Sequence, residues 1–141
     1  MPEIILNCAV ALPMHQVWQK LTALDEFAAN LSDIERLVIL ESGNDWAVSE
    51  WTVKLEDSRL WWVERDVYFP AANRIEFTQI DGDLKQFQGH WQLSATDNGQ
   101  SLLRLSLAFD IGMPMLADML HPIADRAIRD FFGSFITSLA V

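Results

Sequence analysis

The 141-residue chain sets 10 Lys and Arg against 20 Asp and Glu, a net charge of -10, and half of its residues are hydrophobic. That length reads as one domain over residues 1–141, burying roughly 68–70% of its unfolded surface, so neither disorder nor a disulfide scaffold is expected. The acidity repels phosphate backbones and anionic headgroups, which argues against nucleic acid and against stable membrane attachment.

Cys8 is the one cysteine, so an intramolecular disulfide and a Cys-rich zinc site are both excluded. A reducing compartment follows, and with no basic n-region before Ile4 and no apolar run near the ~20 residues of a membrane span, the expected location is cytoplasmic.

In chain order, residues 3–11 read as a strand that Pro13 stops. Met14 to Leu21 reads as a short helix with Val17, Leu21 and Leu24 on its apolar stripe, and Asp25 to Leu31 as a further helical turn or two. The clusters Gly43-Asn44-Asp45, Glu56-Asp57-Ser58, Pro70-Ala71-Ala72-Asn73, Asp81-Gly82-Asp83 and Asp97-Asn98-Gly99 then divide the middle into six segments.

Period-2 patterning marks those segments as antiparallel strands with one buried face. Residues 100–111 place Leu103, Leu105, Leu107, Phe109 and Ile111 on one side; residues 86–95 place Phe87, Gly89, Trp91 and Leu93; residues 47–55 place Trp51, Val53 and Leu55. Segments 34–42, 59–69 and 74–80 alternate less cleanly. From Pro114 the period changes, with Leu116, Leu120, Ile123, Ala127, Phe131, Phe135 and Leu139 recurring as one helical stripe over 115–139, interrupted by Pro122. Asp125 and Arg129 are spaced to pair. The order strand, short helices, six-strand meander and long helix implies an α+β layer of curved antiparallel sheet on one helix.

Several stretches resemble the polyketide cyclase/dehydrase-like branch of the START/Bet v 1-like superfamily. They are Ala72-Asn73-Arg74-Ile75-Glu76-Phe77, Asp81-Gly82-Asp83-Leu84-Lys85-Gln86-Phe87-Gln88-Gly89-His90-Trp91, Val17-Trp18-Gln19-Lys20-Leu21, and Phe109-Asp110-Ile111-Gly112-Met113-Pro114. The resemblance spans essentially the whole chain. It implies a helix-grip fold, in which a seven-stranded curved antiparallel sheet wraps a long C-terminal helix, with two short helices after the first strand. It also implies a cavity for a hydrophobic, aromatic or lipid-like small molecule between sheet and helix. Family members include aromatase/cyclases, lipid carriers and partner-binding modules, so fold alone leaves activity open.

No nucleophile elbow, P-loop, dinucleotide fingerprint or zinc-helix motif occurs, so no cofactor is called for. His15, His90, His121 and Cys8 show no metal-ligand spacing, and no metal is expected. His90 has the opposite parity to Trp91 and falls on the outer face.

Arg65 is the most informative polar position. It shares parity with Trp61, Val63, Val67 and Phe69, and inward it would polarise a ligand carbonyl as the catalytic group of a cyclase. If Leu60, Trp62, Glu64, Asp66 and Tyr68 face inward instead, Arg65 is in solvent; a bulge between Trp61 and Trp62 would switch parity midway. Glu50, Glu64 and Asp66 are the carboxylates able to partner it. The expected ligand-binding set is Trp51, Arg65, Phe77, Gln79, Phe87, Trp91, Phe109, Met119, Ile123 and Phe131, either lining a pocket or filling a core. Met113, Met115 and Met119 suit a pocket mouth, Gly133 suits close helix–sheet packing or room for a ligand, and Trp46 or one of Trp61 and Trp62 would mark a homodimer face.

Overall fold

The computed structural model describes residues 2–27, 31–55, 58–112 and 117–139, with the side chains of Phe27, Ala117, Asp118 and Met119 outside that description. Strand β1 (Glu3–Val10) leads into helix α1 (Met14–Leu21) and the single turn α2 (Leu24–Phe27). Six strands follow, β2 (Ile34–Ser42), β3 (Trp46–Leu55), β4 (Ser58–Phe69), β5 (Arg74–Gly82), β6 (Gln86–Ala95) and β7 (Ser101–Asp110), and then helix α3 (Ala117–Leu139). The seven strands form one antiparallel sheet in the order β1-β7-β6-β5-β4-β3-β2. This is the helix-grip architecture: β1 and β2 take opposite edges, and α1 and α2 carry the chain from one edge to the other.

Local chemistry accounts for the boundaries. Pro13, extended at φ -67° and ψ 156°, precedes the first turn of α1, where its missing N–H is no loss. Lys20 in the last turn of α1 donates from Nζ to Leu139 O at 2.8 Å, setting a cation on the C-terminal end of α3. A 3-10 turn over Pro70–Ala72 ends at Asn73 in the left-handed region, φ 52°, a conformation Asn tolerates. The turn residues Glu56 and Asp57 lie outside the described residues.

The concave face of the sheet and the inner face of α3 meet in an aromatic cluster. Trp51 stacks on Trp62 with ring centroids 5.3 Å apart and planes within 9°. Phe87 meets Trp62 and Phe77 edge-on, at 5.3 and 5.7 Å, while Phe132 and Phe135 of α3 close on Phe87, Trp91 and Trp51. Each such pair contributes about 0.5–1.5 kcal/mol beyond the area it buries.

Helix α3 buries more than the i, i+4 stripe in the sequence suggests. Ile128, Phe132 and Ile136 are buried beside Ala127, Phe131, Phe135 and Leu139, so the apolar face is wider than one row. Arg129 and Asp125 pair on the outer side at 2.6 Å. Ile123, one of the expected inward residues, is 62% exposed.

Two glycines carry opposite expectations. A Cβ on Gly89 would sit 2.8 Å from the Leu107 Cα and against the Ser106 carbonyl, so this strand position needs glycine for the backbone of β7 to approach. A Cβ on Gly133 meets nothing within 4 Å, so close packing is not why glycine stands in α3. Gly133→Ala should therefore raise stability by about 1 kcal/mol, whereas Gly89→Ala should lower it by ~1–3 kcal/mol. Urea unfolding of both variants checks this, and a stabilised Gly89→Ala would contradict the close approach.

Candidate functional site

At the N-terminal end of the described part of α3, sheet and helix separate around a pocket of about 400 Å³. Leu55, Leu60, Leu84 and Ile111 supply the sheet side; Leu120, Ile123, Ala124, Ala127 and Ile128 supply the helix side. These positions converge because the end of β3, the start of β4, the β5–β6 turn and the end of β7 all lie at this end of the sheet. The polar members, Ser58 and Arg59, come from the start of β4, and the Arg59 guanidinium is engaged by Glu35 at 2.7 Å. The volume falls in the ~300–1,000 Å³ range of small-molecule pockets, and the lining is largely apolar.

The sequence-predicted residues divide around it. Ile123 lines the pocket at its rim, which is why it is exposed. Trp51, Phe77, Phe87, Trp91, Phe109 and Phe131 are all buried, but in the packed cluster behind the pocket or, for Phe109, edge-on to His121 at 5.7 Å. Met119 lies outside the described side chains. Gln79 faces inward across from Glu64, donates from Nε2 to Leu84 O at 2.7 Å, and leaves a buried Oε1 without a partner among the described residues.

Arg65 is a correction. It is exposed on the outer face, its guanidinium 5.1 Å from the centre of the Trp46 ring. The inward side of β4 is Leu60, Trp62, Glu64 and Asp66, and strand β3 pairs with it without a break in register from Trp46 to Leu55. The irregularity falls instead on β5, where Val63 pairs with Asp81 and Glu64 with Gln79, leaving Ile80 as the extra residue. Arg65 thus reaches no pocket and polarises nothing inside. Glu50 is also on the outer face, accepting from Arg36 at 2.8 Å and from Trp61 Nε1 at 3.0 Å; Arg36 and Trp61 hold its carboxyl below the usual range. Of the tryptophans expected at a dimer face, Trp62 is 1% exposed, while Trp46 and Trp61 are half-buried, under Arg65 and against Glu50 respectively.

The inward parity of β4 instead buries two acids. Glu64 is 7% exposed and accepts from Trp62 Nε1 at 2.7 Å; Asp66 is 8% exposed, and no donor among the described residues reaches its Oδ1. Burial pushes the Asp66 carboxyl well above its ordinary value of 3.8, and the neighbouring charge of Glu64 and a hydrogen bond shared with it push in the same direction. Two buried carboxyls this close disfavour a second negative charge beside the first. Tyr68, next along the strand, is raised to about 12 by burial and by Asp66, Glu64 and Asp25, and stays a neutral phenol. Ser49, paired with Glu64 across the sheet, accepts from Trp51 Nε1 at 2.8 Å. The two acids were candidates in the sequence, but their burial had no hydropathy signal.

No helix among the described residues is long and apolar enough to cross a membrane, and no group of three or more His, Cys, Asp and Glu there is placed to hold a metal. Residues 10–136 match the family model described as polyketide cyclase / dehydrase and lipid transport. Among solved structures, a Thermus thermophilus protein superposes with a TM-score of 0.91 at 17% identity, covering 99% of this chain and 94% of that one. The Zhui aromatase/cyclase from a Streptomyces species superposes at 0.87 with 17% identity over 99% and 91%. A START superfamily protein of Mycobacterium smegmatis superposes at 0.80 with 14% identity over 98% and 94%. At such identities the likeness is one of fold. No curated protein matches by sequence.

The raised Asp66 carboxyl ties stability to pH. Between the unfolded value near 3.8 and the raised folded value, the native state binds more protons than the unfolded chain, so stability falls as pH rises through that window. Asp66→Asn removes the dependence. As pH rises above that unfolded value, the wild type should lose stability relative to Asp66→Asn. Parallel pH profiles in urea unfolding would contradict a protonated Asp66.

Proposed function

The chain belongs to the polyketide cyclase/dehydrase and lipid transport family, and on that premise we propose that it binds a hydrophobic, aromatic or lipid-like small molecule between the concave sheet and the C-terminal helix. The observation that carries this reading is the 400 Å³ pocket, walled by Leu55, Leu60, Leu84, Ile111, Ile123, Ala127 and Ile128. Transfer of an apolar ligand into such a lining gains roughly 25 cal/mol per Å² of surface removed from water. The few polar groups at its edge suit orientation of a ligand rather than chemistry upon it.

Cyclisation asks for more. A cyclase must polarise a carbonyl and move protons at the reacting carbon. Arg65 stands on the opposite face of the sheet, Arg59 at the pocket edge is engaged by Glu35, and Trp62 lies between Leu60 at the pocket and the carboxyl of Glu64 along β4. Binding is therefore the function the geometry supports best, and the reading keeps the ligand with no cofactor and in one protomer.

Plugging the pocket tests it. N-phenyl-1-naphthylamine should bind the wild type with saturable fluorescence enhancement. Ala127→Trp, which fills the pocket from the helix, should weaken that binding at least about tenfold, ~1.4 kcal/mol. Ala124→Phe, at the more open edge, should act in the same direction and guards against a misfolded first variant. Absence of binding to the wild type, or unchanged binding in both folded variants, would remove the proposal.

A further inference from the structure

A second cavity system lies at the other end of the concave face, where α1 and α2 cross the β2–β3 turn. Its outer part is a groove of about 530 Å³ walled by Trp18, Trp46 and Tyr68, with Asp25, Glu26 and Asn44 along it; no Lys, Arg or His is among its lining residues. At Thr22, Ile39 and Tyr68 the groove meets a small interior cavity bounded also by Ser49, Trp51 and Asp66. The inner cavity measures about 10 Å³, the room of roughly one water molecule. It shares no lining residue with the apolar pocket under α3.

We propose that this groove and its inner cavity bind a primary organic ammonium, with the –NH₃⁺ head beside Asp66, Ser49 and Tyr68 and the organic body along Trp18 in the groove. The head must be a donor, because the Asp66 Oδ1 is buried and no donor among the described residues reaches it. Ser49 Oγ already accepts from Trp51 Nε1, and Thr22 Oγ1 donates to Trp18 O at 2.9 Å, so both hydroxyls retain acceptor capacity.

Charge favours a cation. Asp66 and Glu64 are two buried carboxyls on successive inward positions of β4, and no Lys, Arg or His lines the inner cavity, so an ammonium offsets the charge they bring inside. Asp25 and Glu26 favour a cation along the approach, and Tyr68 stays neutral. The Trp18 indole at the groove suits the same ligand, since an aromatic face accepts positive charge; the Trp46 ring is already taken by the Arg65 guanidinium at 5.1 Å. Size fixes the substitution. A cavity of about 10 Å³ admits a group the size of water and excludes a trimethylammonium.

Calorimetric titration with three probes of one skeleton separates the elements of this proposal. Phenethylammonium should bind, while 2-phenylethanol and phenethyltrimethylammonium should bind at least about tenfold more weakly. Asp66→Asn, which keeps shape and removes the carboxyl, should erase the preference for the ammonium over the alcohol. Asp25→Asn, in the outer groove, should reduce it less. Equal affinity for ammonium and alcohol, equal affinity for the trimethyl probe, or no binding of the ammonium would each overturn the proposal, the last leaving the inner cavity to water. All three outcomes leave the naphthylamine test of the apolar pocket untouched.

Discussion

The stack of Trp51 on Trp62 and the rings of Phe87, Trp91, Phe132 and Phe135 gathered on it decide what the interior can hold. A curved sheet gripping a helix leaves a long space between the two layers. Here the middle of that space is closed by aromatic rings in stacked and edge-to-face contact. Among the described residues, open space lies at the two ends. One end, under the start of α3, is lined by leucine, isoleucine and alanine. The other, under α1 and α2, is lined by a carboxyl, hydroxyls and indoles.

Strand β4 shows how one element serves both ends. Its inward residues run Leu60, Trp62, Glu64, Asp66, from apolar pocket through aromatic wall to acid pair. Burying two carboxyls is unfavourable unless they are neutralised and hydrogen-bonded. The hydrogen bond between the acids and the Trp62 indole offset part of that penalty, and Asp66 Oδ1 is the portion left over. A fold selected for stability alone would put an amide or an apolar side chain there. An acid that weakens the native state as pH rises is the kind of group a binding site retains.

Most of the fold was legible because its punctuation is local. Gly43 to Asp45, Pro70 to Asn73 and Asp97 to Gly99 end strands through their own side-chain and backbone preferences, and Met14 to Leu21 is the helix that Pro13 and the apolar stripe at Val17 and Leu21 predict. The parity of β4 was not legible, because both of its faces carry aromatic and apolar residues and its inner face carries two acids, contrary to the usual alternation. The same reversal took Arg65 outside. Ile128, Phe132 and Ile136 escaped the single-row helix stripe because α3 is gripped by a curved sheet and contacts it over a wider arc. Whether inward rings line a pocket or fill a core depends on their mutual packing, and Trp51, Phe77, Phe87 and Trp91 largely fill it.

If aromatic packing divides the interior, an apolar ligand must stay at one end. Methyl-detected NMR during titration with N-phenyl-1-naphthylamine reads this directly. The division predicts shift changes at Leu55, Leu60, Leu84, Ile111, Ile123 and Ile128, with the methyls of Leu21, Leu37 and Ile39 unmoved. Comparable shifts at both sets would show that the rings do not separate the two ends, and would contradict the account.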